Sequence, residues 1–384
     1  MTTKCQLTEM IKTTPLTHQD RQPECTRRQI IGATAAIAAM GFAGRAHAQP
    51  LQASAAASAS ASAQATDAPP SLAAKRPDGF LPMAAPGLIV KASKSNTLQP
   101  NQLWPTDEAA KVLLERSMTE LTGKSTIGEA FGRFVHPKDK VAIKLNGIGA
   151  QTGATMGTNK ELVLEIVRGV LEAGVPPENL WIFEQFPSFL LGTRINDRVL
   201  PDGVKSYTHN NTDAGTREVR VHGVRTRFVK QLVNATAVIN VALIKDHSQC
   251  GYTGALKNMT HGTTTNPHEF HANLMDPQIP LLYAQDVIRS RVRLHITDAF
   301  KVMFNGGPLD RDPRSRVPHE AVYVSTDPVA MDRIGWQIVD KHRVDKGMPT
   351  LEKAKRKPTY IERAADLGLG IADLNRIRMK EFVL

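Results

Sequence analysis

Cysteine is nearly missing from this chain: of the three present, Cys5 and Cys25 lie in the first 48 residues, and Cys250 stands alone beyond them. If that leading stretch is removed, no intramolecular disulfide can form, and an iron-sulfur cluster of the chain's own, which needs several thiolates, is excluded too. Long apolar runs are also lacking. The stretch after Arg28 holds about fifteen residues of Ala and Gly with scattered Ile, short of the roughly 20 strongly apolar residues that a stable membrane span needs. Dense basic runs are absent apart from Lys353 to Lys357. The net charge of +11 is therefore spread among acids, which suits a small anionic partner and speaks against nucleic acid.

What the amino end does hold is a paired arginine. Thr26-Arg27-Arg28-Gln29-Ile30-Ile31-Gly32 leads into the weakly apolar stretch, which closes on Ala46-His47-Ala48, a small-x-small cleavage site. We read residues 1–48 as a twin-arginine signal peptide, with Gln49 the first mature residue and the mature chain periplasmic, soluble and without a membrane span. Six Lys or Arg against three Asp or Glu leave with that peptide, so the mature chain keeps about +8. Resemblance to substrates of the twin-arginine translocase implies export in the folded state, often after a cofactor has been inserted. Residues 49–80 are Ala, Ser, Gln and Pro, too poor in large apolar groups to offset the entropy of ordering, and read as a disordered linker.

Beyond the linker, short β-branched runs alternate with amphipathic helical patterns, which predicts an α/β fold with a mostly parallel sheet and crossover helices. Two lobes are expected, a main domain over residues 81–290 and a second lobe with a C-terminal tail over 291–384. The clearest βαβ unit runs from Val141-Ala142-Ile143-Lys144-Leu145 through a helix from Lys160 to Ala173 to Leu180-Trp181-Ile182-Phe183. Thr158 with Glu161 reads as a capping box and Gly174 as the stop. The run from Ala237 to Ile244 is continuously apolar and predicts a central strand buried on both faces. Arg293 to Asp298 and Ala321 to Ser325 read as further strands, with Asp327 capping and Pro328 opening a helix to about His342.

Ligands bind in open α/β sheets beyond the carboxyl ends of the strands, so the residues after Ile244 matter most. Lys245-Asp246-His247-Ser248-Gln249-Cys250-Gly251-Tyr252-Thr253-Gly254-Ala255-Leu256-Lys257-Asn258 is followed by His261, Gly262, His268 and His271. Glycines at 251, 254 and 262 would let backbone N–H groups approach a phosphate or carboxylate. His247, Cys250, His268 and His271, with His261, could supply nitrogen and sulfur to a transition metal such as Ni, Fe or Zn. A lone His or Cys is as readily a packed core group. Lys257, at the end of the glycine-rich turn, could hold an anion or act as a nucleophile. Asp327 is adequately explained as a helix cap and Asp298 as the polar end of a strand. Asp332, one turn into its helix, is harder to explain that way.

These residues resemble the bacterial and archaeal family known as domain of unknown function 362, over about residues 88–345. Four motifs carry the resemblance: Val141-Ala142-Ile143-Lys144-Leu145-Asn146; Asn240 through Lys245-Asp246-His247 with Thr253-Gly254-Ala255-Leu256-Lys257-Asn258; Asp298 with Gly306-Gly307-Pro308; and Asp327-Pro328-Val329-Ala330-Met331-Asp332. Many relatives bear a ferredoxin-like cluster module, whose cysteine runs this chain lacks. More remotely, Gly251-Tyr252-Thr253-Gly254-Ala255-Leu256-Lys257 is similar to the turn Gly-x-Ser/Thr-Gly-x-x-Lys of the nickel-pincer lactate racemases. That resemblance implies a cofactor tethered to Lys257, cradled by Gly251, Thr253, Gly254 and Asn258. The first His-Arg pair of those enzymes has no match, since Asn159-Lys160 follows Gly157-Thr158, which speaks against lactate racemisation itself.

The resulting expectation is an isomerase, epimerase or oxidoreductase that shuttles hydride or a proton on a small hydroxy or oxo acid. Lys257, His247, Asp298 and Asp332 are the candidate catalytic residues, and Lys144, Asn146 and Lys245 the candidate substrate-binding residues. A periplasmic binding or metal-handling protein without turnover, or a redox accessory protein, is the alternative.

Overall fold

The computed structural model describes residues 71–151 and 155–384; the expected signal peptide, with most of the expected linker, lies outside the described residues. The strands are β1 (Leu88–Ser93), β2 (Val141–Lys144), β3 (Leu180–Glu184), β4 (Lys205–Thr208), β5 (Val219–Val221), β6 (Val224–Thr226), β7 (Ala237–His247), β8 (Gly251–Thr253), β9 (Val292–Met303), β10 (Arg316–Ser325) and β11 (Arg378–Val383). All but β5 and β6, which form a hairpin, share one sheet in the order β11-β1-β10-β9-β7-β2-β3-β4, with β8 paired to β7. The run β9-β7-β2-β3-β4 is parallel, as is β11 with β1. The pairs β1-β10, β10-β9 and β7-β8 are antiparallel, so the sheet is mixed but mostly parallel. Residues on both sides of position 290, expected as two lobes, thus supply neighbouring strands to one sheet.

Each face of the sheet is covered by helices. One core packs Leu113, Leu114 and Met118 of the helix Asp107–Thr122 and Ile166, Val167 and Val170 of the helix Lys160–Glu172 against Ile143, Ile239 and Val241. The opposite core joins Leu256 and Met259, Trp336 and Val339, and Tyr360 and Ile361 to Val238 and Ile244. Alternate residues of β7 enter the two cores, and all eleven are buried, as expected of a central parallel strand.

The strand continues past Ile244 to His247 because its last three residues pair with β8, Lys245 facing Thr253 and His247 facing Gly251. The crossover helix after β2 begins at Lys160, but the expected capping box does not form. Asn159 is the N-cap, the Thr158 hydroxyl accepts the Asn146 N–H at 2.9 Å, and Glu161 takes Arg194 at 2.7 Å. Tertiary partners have captured both side chains that a local motif would have used. Asp327 does cap the helix Pro328–Asp345, accepting from Val329 and Ala330. Part of the stretch expected as a linker is bonded to the sheet domain: the Leu72 N–H donates to Asp286 and the Ala74 N–H to Ser290, both at 2.8 Å. No helix among the described residues is long and apolar enough to cross a membrane.

Candidate functional site

The carboxyl ends of β2, β3 and β7 open onto a cavity of about 60 Å³ lined by Lys144, Glu184, Thr253, Lys257, Asn258 and His261 among others. This is where an α/β sheet is expected to present its ligand site. A larger surface groove, about 660 Å³, lies near the amino ends of β2 and β3 beside Trp181 and Tyr207. Its polar side chains satisfy one another, Asp213 accepting from Gln231 at 2.9 Å and lying 3.7 Å from Lys230.

The glycine-rich turn is shaped by the chain's own atoms. Gly251 has φ +79°, and a Cβ there would fall 1.9 Å from the Arg356 carbonyl oxygen. At Gly254 a Cβ would fall 2.2 Å from Asp332 Oδ1. These glycines therefore admit Arg356 and Asp332, where close approach to an anion was expected. Asp332 is fully buried and accepts the N–H groups of Ala255 (2.5 Å) and Leu256 (3.1 Å), so it anchors the helix Ala255–His261 that carries Lys257. Burial raises its pKa to about 7 despite those bonds. Asn258 fixes the next turn by donating to Asn240 Oδ1 at 2.7 Å, and Asn240 in turn donates to the Ala255 carbonyl at 2.9 Å.

Three lysines converge here with different surroundings. Lys144 is buried against Glu184 at 2.8 Å and donates to the Leu145 carbonyl at 2.6 Å. Lys245 is enclosed by oxygens, donating to Asn146 Oδ1 at 3.0 Å and to the Ile148 carbonyl. Burial first, and then the charge of Lys257, bring its pKa down to about 7. Lys257 lines the cavity with no hydrogen bond or ion pair among the described residues, and burial lowers its pKa as well. Lys144, Asn146 and Lys245 thus spend their polar atoms largely on the protein, whereas Lys257 does not.

Histidines flank this lysine. His247 and His271 have ring centroids 6.1 Å apart, and His271 meets His261 edge-on at 4.8 Å. His247 Nδ1 accepts the N–H groups of Gln249 and Cys250 at 3.2 and 3.3 Å, so the neutral ring carries its proton on Nε2. His271 Nδ1 donates to the Pro267 carbonyl at 2.9 Å, so its Nε2 carries a lone pair. His261 uses both nitrogens, on Thr260 and on the Phe270 carbonyl. Burial, with Lys257 next in weight, lowers all three pKa values, that of His271 to about 4. These imidazoles are neutral at ordinary pH.

A family model described as Domain of unknown function (DUF362) matches residues 141–337. The chain belongs to this family. No curated protein matches the chain. The part of this DUF362 protein inside the match contains every cavity-lining residue named above, while Arg356, which pins the turn, lies beyond it.

The residues expected as metal ligands do not assemble in this DUF362 protein. Cys250 is fully buried, its Sγ donates to the Tyr252 carbonyl at 3.2 Å, and burial pushes its pKa up to about 12, so it is a thiol. His268 is exposed. Among His247, His261 and His271 only His271 keeps an unbonded Nε2 lone pair, and among the described residues no group of three or more His, Cys, Asp or Glu could hold a metal ion. The donor set does not fit a transition metal. Asp298 is not at the cavity either: it accepts the Asn159 N–H at 2.7 Å and the Asn159 amide at 3.0 Å, and burial raises its pKa to about 6.

Two residues were given no role in the reading of the sequence. Glu184, last in β3, accepts Lys144 and the Gly147 N–H (3.2 Å) and gives the cavity its carboxylate. An acid closing an otherwise apolar strand of the βαβ unit was the available signal. Asn240 is the other, a polar residue inside an apolar run, placed under the helix that carries Lys257.

Proposed function

We propose that this DUF362 protein is a periplasmic enzyme that binds a small hydroxy or oxo acid and moves a proton at a carbon next to its carboxyl or keto carbonyl group. The observation that carries the reading is the Lys257 side chain, which lines the cavity at the strand ends with no hydrogen bond or ion pair among the described residues. The Lys144–Glu184 pair cancels in charge, so Lys257 is the amine of the lining left to meet one small acid. His271, neutral and with its lone pair on Nε2, is the group that can take and return a proton.

The test is calorimetric titration of the mature chain with lactate, glycerate, pyruvate and glyoxylate, with proton NMR in deuterated water to follow exchange at carbon. Lys257→Met is expected to weaken binding at least tenfold, about 1.4 kcal/mol. Exchange should be level above about pH 5 and fall through pH 4 as His271 gains a proton. Failure of all four acids to bind would sink the reading. Binding with no exchange would leave a binding protein without turnover.

A further inference from the structure

We infer that Lys257 is a covalent catalyst whose ε-amine forms an imine with the carbonyl carbon of a small 2-oxo acid. The inference rests on the reading above and narrows its substrate class to oxo acids. Two polar groups in the cavity lack partners among the described residues: the Lys257 amine, and the Thr253 hydroxyl, whose Oγ1 is buried and unbonded although the residue is only 3% exposed. They stand four residues apart, across the start of the helix Ala255–His261. A buried hydroxyl with nothing to bond is costly, and a ligand carboxylate would satisfy it. One water needs about 10–15 Å³ of such space, so the cavity has room for roughly four to six water-sized groups, the size of pyruvate.

Every other cation nearby is occupied, Lys144 by Glu184 and Lys245 by carbonyl and amide oxygens. Lys257 has neither a carboxylate to hold it charged nor an oxygen to donate to, and burial beside further lysines favours the free amine that a nucleophile requires. In the step, the amine lone pair attacks C2 of the oxo acid and a C–N bond forms. The former carbonyl oxygen takes up two protons and leaves as water. The resulting iminium withdraws electrons from C3, so that a C3 proton passes to the Nε2 lone pair of neutral His271 and an enamine forms. Reprotonation and hydrolysis return the free amine, and no oxidant or reductant is consumed.

The experiment treats the mature chain with pyruvate and sodium borohydride, followed by intact mass and peptide mapping, with pyruvate binding measured in parallel by calorimetry. The expected result is one reduced pyruvate on Lys257, lost in Lys257→Arg, which keeps the charge but not the nucleophile. Thr253→Val should lower trapping severalfold with the fold intact by circular dichroism. Pyruvate that binds but is not trapped, or is trapped on other lysines alone, overturns the imine and leaves the acid-binding reading standing. If no pyruvate binds at all, while lactate or glycerate does, the oxo-acid class is wrong. Should none of the acids bind, both proposals fall together.

Discussion

Cys250 sits with Sγ 3.2 Å from the Tyr252 carbonyl, inside the core that also holds Leu256, Met259 and Tyr360. A thiol held there is a packing group and a weak donor. Cys250→Ser should cost about 1–2 kcal/mol in urea unfolding, since a hydroxyl is more strongly solvated in the unfolded chain. Iodoacetamide should label Cys250 only when the protein is unfolded; rapid labelling of the native protein would show that it is accessible after all. Asp332 offers a pH test at the same scale. Its folded pKa, about 7, lies above the ordinary carboxylate value, so its contribution is fully present below about pH 4 and is lost as pH rises through 7. Wild type should therefore gain stability relative to Asp332→Asn between pH 8 and pH 5. A constant difference across that window would mean that Asp332 stays ionised throughout.

The helix Ala255–His261 is only seven residues long and has no side-chain N-cap of its own, so its position depends on what receives its first N–H groups. Asp332, from the helix Pro328–Asp345, receives two of them, and Asn240 of β7 receives Asn258 and donates to the Ala255 carbonyl. The Gly254 Cα hydrogens leave room for that carboxylate. Gly254→Ala is expected to destabilise the protein by about 2 kcal/mol or more, because the added methyl meets Asp332 and the Tyr252 ring, at 2.2 and 2.5 Å. Loss of acid binding should accompany the loss of stability, as Lys257 rides on the same helix. If the variant keeps wild-type stability in urea and wild-type affinity, the packing account of this glycine is wrong.

For the whole molecule, the sheet brings strands from both ends of the chain together: β11 lies against β1, and β9 beside β7. Such long-range pairing is slow to form. We propose that export follows the twin-arginine route, with Arg27 and Arg28 as the recognition pair. Replacing both by Lys should leave the precursor in the cytoplasm on fractionation, and normal periplasmic processing of that variant would count against the route.

The α/β class, the buried strand through Ile244, the βαβ unit and the helix opened by Asp327-Pro328 were all legible in the sequence, because each rests on a local pattern: periodicity, a cap, a β-branched run. Lys257 was legible too, as a lysine closing a glycine-rich turn beyond a central strand. What its neighbours do was decided only by the tertiary structure, since their partners are remote in the chain. Asp332 meets the helix 77 residues before it, Arg356 reaches back 110 residues to Asp246, and Lys144 meets Glu184 across 40. The same remoteness turned Glu161 from a cap into a partner of Arg194, and packing among core residues from distant segments made Cys250 a core thiol. Local propensity sets which segments become strands and helices, but a buried polar group takes whichever partner packing brings to it, and at this site packing left Lys257 without one.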